Sequence, residues 1–366
     1  MKVKQVIMIA HGGKSIGMGH VIRSLSLATQ FHKQGFHVQF ISKYELGQKI
    51  IIDQGFSVLP MTEAEIESDN FYFGEKETLS LEIKKMIPLI YRIHPDVIVV
   101  DSYHVSAEFL RELTKYTDYL AYIDDIDAFC YPVSMVINGN ISADTLSYSG
   151  YHQGQKLLLG LAYNQIRHEF SNINQRIVKK RVHNILITTG AADPKNMTGT
   201  ILKYLCQESN FDSYQIRVVL GSAFLTQHKE SLQKTYHDLK NIDFYDSPKD
   251  MSQLMQWAEI GICAGGSTIY EFFACGVVAL AFIYSENQRS IVTKAYKEGL
   301  LFSLGEDITL SESLFHETFQ TATQDFILRK QMVAKMQSAV DGKGTKRIVD
   351  VIKEELECQS FEITDR

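Results

Sequence analysis

Val6-Ile7-Met8-Ile9-Ala10-His11-Gly12-Gly13-Lys14-Ser15-Ile16-Gly17-Met18-Gly19-His20-Val21-Ile22-Arg23 reads as a strand, a glycine-rich turn and the first turn of a helix. An unbroken apolar run is the form taken by a strand buried on both faces of a parallel sheet. After the glycines, Leu25, Ala28 and Phe31 continue at helical spacing. A strand that passes through glycines into an amphipathic helix opens a βαβ unit, so this stretch predicts an α/β protein with a mostly parallel sheet.

The same rhythm continues outward. Short apolar runs at Val6 to Ala10, His37 to Ile41, Val97 to Asp101, Tyr119 to Asp124, Met135 to Asn138 and Lys156 to Leu159 predict the strands of a first half. Asn184 to Thr189, Ile216 to Leu220, Ile260 to Cys263 and Val278 to Ile283 predict those of a second. Arg167 to Arg181 is polar and charged, and places a linker near Asn172 to Lys180. The expected domains are therefore 1–172 and 181–345, followed by a C-terminal helix and tail at 346–366, and 366 residues suit two domains of ordinary size. In the tail, Ile348, Val351, Ile352 and Leu356 form an apolar stripe that must pack on something, with the first domain as one choice. No fixed-period repeat or low-complexity segment interrupts this pattern.

Composition narrows the function. At 45% hydrophobic and 22% charged residues the chain is globular rather than disordered. A net charge of -6 without a basic stripe argues against nucleic acid and anionic lipid. The five cysteines include no C-x-x-C pair and read as reduced thiols. No apolar run is long enough for a signal peptide or a membrane span, which makes the expected location cytoplasmic.

Two glycine turns carry the chemistry. In the first, a Walker loop fails because Met8 stands where its leading glycine belongs, and a dinucleotide fingerprint fails because Ile22 replaces its third glycine. What remains is Gly17-x-Gly19-His20-x-x-Arg23, with His20 and Arg23 three apart on one helix face. A helix N-terminus disfavours the imidazolium, so His20 there can serve as a general base. A tight turn with a solvent-facing histidine and a surface arginine has the same spacing.

The second turn is Cys263-Ala264-Gly265-Gly266-Ser267-Thr268-Ile269-Tyr270-Glu271, where small residues leave helix N–H groups open to a diphosphate. Glu271 suits a ribose diol, but Thr268-x-x-Glu271 also spells a capping box. Asn287 and Gln288 follow a strand end, where amides can hold hydroxyls or phosphate oxygens; a polar loop is the plainer reading. Asp101-Ser102-Tyr103 and Asp124-Asp125 likewise end strands, as site residues or as helix caps. Ser267 lacks the closing glycine of a nucleophile elbow, and the twelve histidines offer no metal-ligand spacing. Trp257 reads as core.

In that order along the chain stand the G-x-G-H-x-x-R motif, Asp101-Ser102-Tyr103, Leu158 to Phe170, Ile187 to Pro194, Ala264 to Thr268 and Asn287-Gln288. The ordered set resembles the UDP-sugar hydrolases of the pseudaminic-acid pathway and the related spore-coat polysaccharide proteins, over nearly the whole chain. The resemblance implies a GT-B fold of two Rossmann-like domains facing across a cleft, akin to the enzyme that adds N-acetylglucosamine to lipid I.

It implies hydrolysis of a UDP-2,4-diacetamido-2,4,6-trideoxyhexose, in which His20 activates water and Asn287 and Tyr103 act on the substrate. Gly265, Gly266, Ser267, Thr268, Glu271 and Gln288 would hold the nucleotide, and Gly17, Gly19, Arg23 and Asp101 would face the sugar. No cofactor or metal is implied, and nothing is implied about oligomeric state. The alternatives are a transferase with a sugar or lipid acceptor in place of water, and a nucleotide-sugar binding protein without turnover. In one respect the chain departs from the hydrolases: they usually carry an acid nine positions before the motif histidine and an arginine two before that, where His11 and Ile9 stand here.

Overall fold

β1 (Gln5–Ala10) sends Val6, Met8 and Ala10 into one apolar cluster and Ile7 and Ile9 into another, because successive strand side chains point to opposite faces. β4 (Val97–Asp101) does the same with Val97 and Val99 against Ile98 and Val100. Both strands are thus buried on both faces, which is why their sequences run apolar without alternation. The computed structural model describes residues 3–13, 16–61, 76–152, 154–306 and 310–364.

The chain forms two units, Met1–His168 with Lys343–Arg366, and Glu169–Gly342. In the first, β2 (His37–Ser42), β3 (Ser57–Pro60), β5 (Tyr119–Ile123), β6 (Met135–Asn138) and β7 (Lys156–Leu159) join β1 and β4 in a parallel sheet of order β3-β2-β1-β4-β5-β6-β7. α1 (Gly19–Lys33) covers one face, and α3 (Lys76–Ile93) and α4 (Ala107–Leu113) cover the other. α2 (Glu45–Asp53) starts tightly against the first glycine turn, with Gly47 N donating to Gly12 O at 3.0 Å.

The second unit holds a parallel sheet of order β10-β9-β8-β11-β12-β13, built from β8 (Asn184–Thr188), β9 (Gln215–Leu220), β10 (Ile242–Asp246), β11 (Ile260–Ala264), β12 (Val278–Ile283) and β13 (Phe302–Glu306). Its connecting helices include α5 (Met197–Leu205), α6 (Thr226–Thr235), α7 (Met251–Trp257), α8 (Thr268–Cys275) and α9 (Glu286–Lys297), with α10 (Glu312–Gln324) and α11 (Phe326–Ala339) after the last strand.

Residues 169–183 pack as part of this unit. Arg176 Nε donates to Cys275 O at 2.7 Å and Nη2 to Gln256 O at 2.9 Å, while Glu259 accepts from the backbone of His183 and Asn184. Trp257 is not core: it is partly exposed, and the Arg217 guanidinium stacks on it 3.9 Å from the ring centroid.

The last helix, α12 (Gly344–Thr364), returns to the first unit. It buries Ile348, Val349, Ile352 and Leu356 in the cluster beneath α1, and Gln34 of the chain just after α1 donates to Asp350 at 2.7 Å. β3, β10 and β13 are strands that the sequence reading omits. All three are sheet edges, half exposed, and too short of consecutive apolar residues to stand out.

Candidate functional site

In the first sheet the connection order reverses between β1 and β4, and the loops leaving their C-terminal ends diverge there, the place where open α/β sheets bind ligands. The turn after β1 is shaped by Gly17, whose φ of +73° lies in the left-handed region, and by a Gly13 N–H that donates to Gly17 O at 3.1 Å. Nothing lies within 4 Å of where a Cβ on Gly19 would project, so the helix start is open.

His20, in the first turn of α1, reaches Asp101 at the end of β4, with Nδ1 2.6 Å from Oδ1. The carboxylate fixes the proton on Nδ1 and leaves Nε2 as the basic nitrogen. Asp101 is fully buried, and it also accepts from Arg23 Nε at 2.7 Å, Arg23 Nη2 at 2.6 Å and Ser24 Oγ at 3.1 Å. Arg23 completes a fork with Asp125, through Nη1 at 2.7 Å and Nη2 at 2.9 Å. Asp125 further accepts from the Tyr103 hydroxyl at 2.7 Å and from Asn140 Nδ2 at 2.7 Å. The Tyr103 ring stands edge-on to His20, centroids 4.8 Å apart.

Burial alone would raise the Asp101 and Asp125 carboxyls, but the Arg23 cation outweighs it and holds both below the ordinary range. Burial opposes the charge on Arg23 as well, yet the two carboxylates hold it well above its usual value. The phenol of Tyr103 is pushed up by burial and by Asp125, so it stays protonated and acts as a donor.

Four residues expected at the site, His20, Arg23, Asp101 and Tyr103, therefore meet in one network. Arg23 and Asp101 spend their hydrogen bonds inside it rather than toward solvent. Of the neighbouring acids, Asp125 joins the network, while Asp124 binds the hydroxyls of Tyr131 and Tyr148 and the backbone of Ile126 and Asp127. The pocket in front of His20 is also bounded by His11, which stands at the motif position where the hydrolases usually carry an acid, and by Ile16, Tyr44 and His104, which no motif singles out.

In the second sheet the order reverses between β8 and β11, and the second glycine turn leaves β11 there. A Cβ on Gly265 would lie 2.1 Å from Val292 Cγ2, so this glycine lets α9 pack against the turn. Gln288 bridges the two elements: its Oε1 accepts from Tyr284 N at 2.9 Å, and its Nε2 is 3.7 Å from where a Gly266 Cβ would stand. The capping box does not form in the expected register. Ser267, not Thr268, is the N-cap of α8, and no side chain caps it, so Glu271 is the fourth helical residue. It is 6% exposed. Asn287 is exposed in the first turn of α9, where its Oδ1 accepts from Ser285 Oγ at 2.6 Å. Across the sheet end, Lys195 Nζ stands 4.9 Å from the Tyr284 ring centroid.

Among the described residues, no cluster of three or more histidines, cysteines and carboxylates could hold a metal ion, and no helix is long and apolar enough to cross a membrane.

Residues 184–352 match the glycosyltransferase family 28 C-terminal domain. The chain is 24% identical over 357 residues to the spore coat polysaccharide biosynthesis protein SpsG of Bacillus subtilis, covering 95% of this chain and 97% of that one. It is 23% identical to the UDP-2,4-diacetamido-2,4,6-trideoxy-beta-L-altropyranose hydrolase of Campylobacter jejuni, over 81% of this chain and 97% of the relative. A protein of Methanocaldococcus jannaschii is 25% identical over 78% of the chain, which spans 57% of that relative's length. Among solved structures, MurG of Acinetobacter baumannii superposes with a TM-score of 0.66 at 16% identity, over 96% of this chain and 99% of that one. The fold is GT-B, two Rossmann-like units each built on a parallel sheet.

Proposed function

We propose that the protein is a nucleotide-sugar hydrolase that releases UDP from a UDP-2,4-diacetamido-2,4,6-trideoxyhexose. The carrying observation is the His20–Asp101 pair at the switch point of the first sheet, a carboxylate-oriented imidazole whose Nε2 is left to accept a proton. In the reaction, Nε2 takes a proton from water, the water oxygen bonds to the anomeric carbon, and the bond from that carbon to the diphosphate breaks. The electron pair leaves with UDP. The second unit contributes the open N-terminus of α8 at Gly266, Ser267 and Thr268, whose N–H groups suit the negative charge that develops on the departing diphosphate. Gly265 shapes that turn, Gln288 braces it, Glu271 serves the ribose, and Asn287 contacts the substrate. Tyr103 lines the sugar pocket beside His20, with Gly17 and Gly19 leaving its mouth open. Arg23 and Asp101 are positioning residues that act through His20.

Hydrolysis is supported by the similarity to the Campylobacter jejuni hydrolase over most of both chains. The second reading is a glycosyltransferase, which the match of residues 184–352 and the similarity to SpsG favour. The two readings share a donor and differ in what attacks it. Incubation with a panel of UDP-sugars in EDTA, with the product followed by mass spectrometry, tests them. UDP and free sugar formed without any added acceptor support hydrolysis. Turnover only with an added saccharide or lipid acceptor supports transfer, and loss of all activity in EDTA overturns the metal-free scheme.

A further inference from the structure

His11 lines the pocket in front of His20 and belongs to a buried polar set that the hydrolytic scheme does not use. His11 follows β1, Lys43 follows β2 and Glu82 stands on α3; their side chains are 5%, 4% and 3% exposed. Lys43 Nζ donates to Glu82 Oε2. Glu82 Oε1 and both nitrogens of His11 have no hydrogen-bond partner among the described residues, and His11 Nε2 stands 3.6 Å from Glu82 Oε1, beyond hydrogen-bond length. Buried polar atoms are almost always paired, and unpaired ones at a pocket wall are where a ligand completes the pattern.

We propose that His11 is a specificity-determining residue of the sugar pocket, which accepts a hydrogen bond from a hydroxyl or amide N–H of a neutral hexosyl group, with Glu82 and Lys43 as positioning residues behind it. The proposal rests on the reading of the first unit as the sugar side and names what that side recognises. Burial lowers the His11 pKa and the Lys43 cation adds to this, outweighing Glu82, so the imidazole is neutral, with one donor and one acceptor nitrogen. Burial would raise the Glu82 carboxyl, but His11 and Lys43 outweigh it, and the ionised group only accepts. Nε2 is the ring nitrogen that faces the Glu82 carboxylate, 3.6 Å away without a hydrogen bond, and a negative charge there favours the proton on Nε2 and leaves Nδ1 as an acceptor. A donor on the ligand satisfies that nitrogen. An anionic substituent would meet a lone pair backed by a carboxylate and is disfavoured. Tyr44, edge-on to His11 at 6.4 Å between centroids, together with Ile16 and Tyr103, supplies the apolar surface that the carbon face of a sugar needs.

The test compares the full chain with His11→Phe and His11→Gln. UDP and UDP-sugars are titrated calorimetrically, and kcat and KM are measured for UDP-N-acetylglucosamine, UDP-2,4-diacetamido-2,4,6-trideoxyhexose and UDP-glucuronic acid. The expected result is an unchanged UDP affinity and, in His11→Phe, kcat/KM for the best neutral sugar lowered about tenfold or more, chiefly through KM. His11→Gln, which keeps an acceptor, recovers part of the loss, and melting curves separate folding from binding. Wild-type kcat/KM in His11→Phe, or a wild-type preference for UDP-glucuronic acid, overturns the proposal while leaving the functional reading intact. A wild-type protein that binds UDP but neither binds nor turns over any UDP-sugar defeats the functional reading, and the His11 proposal with it.

Discussion

His20, Asp101, Arg23 and Asp125 form a relay of charge in which each group holds the next, and the consequences of breaking it differ by position. His20→Ala removes the proposed base and little else, because its side chain is partly exposed and, among the described residues, its ring nitrogens bond only to Asp101 and Arg23; turnover should fall on the order of 10²–10⁴ while UDP affinity is unchanged. Asp125→Asn takes one carboxylate from a largely buried guanidinium, and breaking such a pair costs about 3–5 kcal/mol. Its pH dependence has a definite sign. The folded-state pKa of Asp125 lies below its unfolded value of about 3.9, so its contribution is complete above that value and fades as pH falls through the lower folded-state pKa. Denaturant unfolding at pH 7 and at pH 3 should therefore show a smaller gap between wild type and Asp125→Asn at the lower pH. Of this network the sequence shows His20 and Arg23, three apart on a helix, and the resemblance adds Asp101 and Tyr103 as site residues. The part played by Asp101 is not legible, because it lies 81 positions away and a strand-end aspartate is as often a cap.

At the scale of elements, the second glycine turn works because α8 and α9 come close. The Val292 contact predicts that Gly265→Ala forces α9 away from the turn, with a stability loss of about 1–3 kcal/mol by thermal unfolding and weaker UDP binding, since Gln288 moves with the helix. Glu271→Gln should raise the Kd for UDP and leave kcat near wild type. Equal loss of both would place Glu271 in packing alone, as its burial permits. β1, β4, β5 and β12 are readable because each is apolar on both faces. The edge strands β3, β10 and β13 were not, because one side of each faces water and polar residues are tolerated there. The cap of α8 was displaced by one residue, from Thr268 to Ser267, a choice made by the path of the turn rather than by residue type.

At the scale of the molecule, the last helix belongs to the unit that the chain forms first. Truncation after Gly342 removes Ile348, Val349, Ile352 and Leu356 from the core under α1, each worth roughly 1.5–3 kcal/mol of burial. Calorimetry of the truncated chain should show the first unit melting lower or lost, with UDP still binding the second unit and turnover abolished. If both units melt as in the full chain, α12 is dispensable and this account of the core is wrong.

Local pattern carries the α/β class, the two-part chain, the two glycine turns and the amphipathic character of α12. Each of these is written in neighbours within a few positions: apolar runs, helical spacing, glycines where the backbone must turn. Which strands lie side by side, and hence that Asp101 meets His20 and Asp125 clamps Arg23, is set by the packing of the whole chain. That packing also decides that Lys43 and Glu82 meet behind His11, which lines the pocket, and that α12 closes the first unit. Such contacts join residues scores or hundreds of positions apart, and the order of strands in a sheet, not local pattern, sets them.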